Sequence, residues 1–153
     1  MQTESTNQSL SEWSPDATAR LSVSAPSIDA ALGGTLQAVL NVARATPVNS
    51  GPGTADMQSI SAPIRGQGVS FGEVLYEMIN DLLAQLDANG AGLTTARLDG
   101  VLATDDDGYS AWGAVLGEAG GARPPVGLSM EGTPGVSQTG DGQTTVDVLL
   151  ARS

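Results

Sequence analysis

Apolar and polar positions alternate along "TARLSVSA", residues 18–25. Ala19, Leu21, Val23 and Ala25 share one face, the period of a half-buried strand. Pro26 ends the alternation, and Ser27 stands where a helix N-cap belongs. From there the period changes. Ile28, Ala31, Leu32, Thr35, Leu36, Val39, Leu40 and Ala43 recur at three- and four-residue steps, the stripe of a packed helix. Asp29 in the first turn and Arg44 in the last suit its dipole, while Gly33 and Gly34 lower its propensity. "TPVNSGPGTAD" (46–56) reads as a loop, and "MQSISAPIRGQG" (57–68) predicts a short strand interrupted near Pro63. The clearest element begins at Val69. Ser70 and Glu73 have capping-box spacing, with Val69 and Val74 as a hydrophobic staple around it. Phe71, Val74, Leu75, Met78, Ile79, Leu82, Leu83 and Leu86 trace one broad apolar face, and Gly90 is the stop.

Beyond this helix the pattern returns to strands. Two are expected around the turn "DDDG" (105–108), with Tyr109, Ala111, Gly113 and Val115 opposed to Ser110, Trp112, Ala114 and Leu116. Residues 126–131 predict a short strand, "GTPGVSQTGDG" a turn region, and "QTTVDVLLA" (143–151) a closing strand. Residues 1–12 are mostly polar and predict a disordered N-terminal tail, leaving 13–153 as the domain. The order is strand, helix, a variable stretch, helix, then mostly strands. It predicts one α+β domain, two helices packed on a mostly antiparallel sheet. At 153 residues the chain is long enough to bury a core for one such domain.

Composition narrows the chemistry. Six arginines and no lysine stand against 17 acidic residues, a formal net charge of −11. Such a field repels phosphate backbones, so direct nucleic-acid binding is not expected. The chain has neither cysteine nor histidine. That removes thiolate nucleophiles, Ser-His and Cys-His arrangements, and thiolate or imidazole metal sites. Catalysis would fall to carboxylates, hydroxyls, arginine or backbone groups, and an enzyme is disfavoured. No segment approaches the apolar length of a membrane span, and "MQTESTNQSLSEW" lacks the features of a signal peptide, so a cytoplasmic location is expected.

The remaining candidates are carboxylates. A calcium loop starting at Asp105 would need glycine at Ser110 and a bidentate acid at Leu116, so "DDDG" reads as a solvated turn. "GGARPP" and "GQG" match no phosphate-binding pattern. Glu73, Glu77 and Asp81 fall at i, i+4 and i+8 on one helix face, which suits a solvated face or a hard cation. Asp147 interrupts the apolar "TVDVLL". It shares a face with Leu149, opposite Val146, Val148 and Leu150, and reads as a solvated sheet position or a ligand. Asp16 reads as a turn residue or a second ligand, and Arg20 as a partner for Asp16 or Asp147.

Three segments, taken in order, resemble the archease family. "DATARLSVSAPSIDAAL" resembles that family's Asp-His-Thr-Ala-Asp opening, strand and helix. "GVSFGEVLYEMINDLLAQLD" is similar to its leucine-rich helix, with "AWGAVLGE" like the strand and Gly-Glu that follow. "VGLSME" and "DGQTTVDVLL" resemble its ending, where Asp147 matches an aspartate of the final strand. The likeness spans about residues 16–151. It implies a compact α+β domain and a metal-assisted accessory role beside an RNA ligase of tRNA splicing, helping that ligase take up guanylate. Ala17 stands where the family has histidine and Arg20 where it has a second aspartate; "AGGARPP" (119–125) supplies no later histidine. Of the implied metal ligands Asp147 and Asp16 remain, and an Arg20–Asp147 ion pair is the expected replacement for the cation. The expected function is therefore an archease-like accessory or interaction protein with a degenerate metal site and no cofactor. The alternative is a small-molecule or divalent-cation binding module.

Overall fold

The elements run β1 (Asn7–Leu10), β2 (Thr18–Ala25), α1 (Ile28–Ala45), β3 (Gln58–Gly68), α2 (Phe71–Asn89), β4 (Leu93–Ala103), β5 (Tyr109–Ala119), β6 (Leu128–Met130), β7 (Gly135–Gln138) and β8 (Thr144–Arg152). This computed structural model describes residues 7–11, 14–15, 17–45, 58–89, 93–104, 108–119, 128–138 and 143–152. The α+β architecture is the expected one, with its strands divided between two sheets. All strand pairs are antiparallel.

The first sheet has the order β1-β2-β8, with β6 and β7 sharing the far side of β8. Its central pair sets Leu21 opposite Val148 and Val23 opposite Val146. Strand alternation then puts Ala19, Leu21, Val23 and Ala25 on one buried face with Val146, Val148 and Leu150. Thr144 ends that face, fully buried, and its Oγ1 has no hydrogen-bond partner among the described residues. A buried hydroxyl left unpaired costs about 1–3 kcal/mol. Thr144→Val keeps the shape and removes that penalty. It is expected to raise stability by about 1 kcal/mol, read as a higher urea midpoint at unchanged slope; a lower midpoint would mean the hydroxyl is satisfied.

β1 falls in the stretch whose polarity predicts a tail. It pairs with β2 from Asn7 opposite Ser24 to Leu10 opposite Leu21. Ladder hydrogen bonds come from the backbone and need no apolar pattern. β7 likewise lies inside the predicted turn region, held on the first half of β8 from Gly135 opposite Asp147 to Gln138 opposite Thr144.

The second sheet has the order β3-β5-β4. Ile64, Ala111, Val115 and Ala96 are buried on its inner face. A register shift between Leu98 and Gly100 leaves Asp99 as an extra residue. This bulge restores the phase, so that Val101 packs on the core beside Leu98. β3 continues through Pro63, where an interruption was expected. The N–H groups of Arg65 and Gln67 point away from β5, to side chains of α2. By alternation, the position of Pro63 points the same way, so the missing donor removes no bond to β5.

The two helices connect the sheets. α1 touches β2, β8 and β4, while α2 touches β3 and β5 and also reaches β6 and β7. Ser27 caps α1 as its residue type predicts, with Oγ accepting from the Ala30 N–H at 3.1 Å. Leu32, Leu36 and Leu40 of α1 and Leu75, Met78, Ile79 and Leu82 of α2 are fully buried. Each such side chain contributes roughly 1.5–3 kcal/mol by leaving water. Ser70 caps α2, accepting from the Glu73 N–H at 3.2 Å, but Glu73 Oε1 accepts from Val69 rather than Ser70. Val69, the outer half of the expected staple, is 66% exposed, while Val74 is fully buried. No helix among the described residues is long and apolar enough to cross a membrane.

α2 approaches β3 closely because glycines line the contact. A Cβ at Gly66 would run into the Val74 carbonyl oxygen and lie 2.8 Å from Met78 Cγ; one at Gly68 would lie 2.5 Å from Glu73 Cβ. Side chains there would hold the helix off the sheet.

Candidate functional site

Three surfaces collect the polar chemistry. The first is the outer face of the β2–β8 pair. Arg20 stands opposite Leu149 and Asp147 opposite Ser22, which makes Arg20 and Asp147 diagonal neighbours on one exposed face. The expected ion pair between them is not formed. Ser22 Oγ donates to Asp147 Oδ1 at 2.6 Å, and among the described residues the ion pair is Arg97–Asp99, Nε to Oδ1 at 2.7 Å. The reason is register: a short hydroxyl lies directly beside the carboxylate, and an exposed diagonal pair gains little over water. Beyond Asp147 lie Ser24 and Thr145, whose hydroxyls meet at 3.2 Å.

Asp16 lies outside the described residues, as do residues 105–107 of "DDDG" and the arginine of "GGARPP". Thr18, at the start of β2, stands opposite Ala151. That is four strand positions, or about 13 Å, from the register of Asp147. Ala17 has φ of 66°, a left-handed conformation held by a turn in which its N–H donates to the Ser14 carbonyl at 2.9 Å. Among the described residues no three acidic side chains gather where a metal ion would sit. Asp147, singly bonded to a hydroxyl beside a leucine, does not fit the several-ligand shell of a hard or transition-metal cation.

The second surface is the acidic stripe of α2, which does something the sequence pattern does not show. Asp81 Oδ2 accepts from the Arg65 N–H at 3.0 Å, Glu77 Oε1 from Gln67 at 3.1 Å and Glu73 Oε1 from Val69 at 3.3 Å. Successive donors are two residues apart along β3 and its end, and successive acceptors four apart along α2. The spacings match, about 6.7 Å for the strand and 6.0 Å for the helix. The carboxylates form a ladder along an edge strand that would otherwise offer unpaired donors. At the opposite edge Gln37 Oε1 of α1 accepts from the Ala96 N–H at 2.9 Å. These acids therefore close a sheet edge; they are neither a simply solvated face nor a gathered cation site.

The third surface is the outer face of the β3-β5-β4 sheet. Ser61, Pro63 and Arg65 of β3 and Ser110, Trp112 and Ala114 of β5, with Asp99, line a half-open groove of about 490 Å³. Trp112 stands between Arg65 and Gly100 in the register and is 38% exposed. A Cβ at Gly100 would lie 2.5 Å from Trp112 Cζ2. The indole therefore lies across the strand, over the glycine, which leaves part of it open to solvent. Leu102 on the same sheet is 61% exposed. The alternation along β5 sets Trp112 on one face with Ser110 and Ala114, and that alternation is the signal in the sequence for this surface. No protein-family model matches the chain, and no curated protein or solved structure matches it.

Proposed function

We propose that the chain is a non-catalytic accessory protein that works by binding a protein partner. One observation carries the reading: Trp112, an aromatic side chain on a sheet face, is left partly open in a groove beside Arg65. Tryptophan and arginine supply much of the binding energy at protein interfaces, because each combines a large contact area with a directed polar group. The sheet beneath is backed by buried helices, so the face is rigid before any partner arrives.

The partner implied by the archease resemblance is an RNA ligase of tRNA splicing, in the cytoplasm. This choice is drawn from the sequence resemblance of residues 16–151. The action proposed runs through contact between proteins and not through a bound cation. Adding the chain to such a ligase is expected to raise the rate of ligase guanylation several-fold. Trp112→Ala is expected to remove most of the gain while the thermal midpoint stays above the assay temperature. An unchanged rate with the native chain would rule out the ligase as partner. A gain that survives Trp112→Ala would rule out this face.

A further inference from the structure

We draw no further inference here: the strongest candidate, the half-open groove around Trp112 on the outer face of the β3-β5-β4 sheet, carries Arg65 and Asp99 in balance along its lining, and nothing in the structure shows what covers it.

Discussion

Gly66→Ala is expected to lower stability by about 3 kcal/mol. An alanine in a strand ordinarily helps, because glycine loses more chain entropy on folding. Here space reverses the sign. The added methyl would collide with the Val74 carbonyl oxygen and Met78 Cγ, and the first of these belongs to the helix backbone and cannot rotate away. α2 must then lift, loosening the packing of Val74, Leu75 and Met78, all fully buried. For a domain of this length the loss corresponds to a fall of roughly 6–12 °C in the thermal midpoint. Gly135→Ala is the control, since nothing lies within 4 Å of a Cβ there. It is expected to leave the midpoint within about 1 °C or raise it slightly. If Gly66→Ala behaves like Gly135→Ala, the close approach of α2 to β3 is wrong.

The combined replacement Glu73→Ala, Glu77→Ala and Asp81→Ala is expected to make the protein associate with itself more strongly than the native chain does. Asp81 and Glu77 each take one backbone N–H of the β3 edge, and Glu73 takes that of Val69 just past its end. These sites are largely open to water, which replaces a lost acceptor, so the cost in stability is modest, about 2 kcal/mol for the three together. The larger consequence is at the edge. Three aligned donors become free along a strand end, a template for pairing with another copy. The change also removes three negative charges from a protein whose −11 keeps copies apart. Sedimentation should show dimers and larger species growing with concentration. Glu73→Gln, Glu77→Gln and Asp81→Asn remove the same charges but keep an acceptor oxygen at each rung. This variant should associate little more than the native chain does. Equal association of both variants would mean that charge, and not the ladder, holds copies apart.

The elements legible in the sequence are those whose side chains face a core. Ala19 to Ala25, the leucine stripe of α1, the apolar face of α2 with its Ser70 cap, and Val146 to Leu150 follow periods of two or 3.6, because burial selects one face at a time. The alternation along β5 separated Ala111 and Val115 from Trp112 but did not say which set faced the core; the structure turns Ala111 and Val115 inward. β1 and β7 left no such trace, since they attach through backbone bonds at the margins of a sheet. The site was less legible than the fold. Asp147 was placed correctly on the outer face, but only the register shows that Ser22, and not Arg20, holds its carboxylate. Glu73, Glu77 and Asp81 could be assigned to one helix face, but not to the strand they serve.

By itself, then, the sequence determined the α+β class, the two helices and the inward rows of the main strands, all consequences of burying apolar side chains at a local period. It also determined that these 153 residues carry neither cysteine nor histidine. Only the tertiary structure decided that the acids of α2 close the edge of β3, and that Trp112 and Arg65 meet on one open face. Those arrangements run through backbone donors and strand register, which no periodic pattern of side chains encodes.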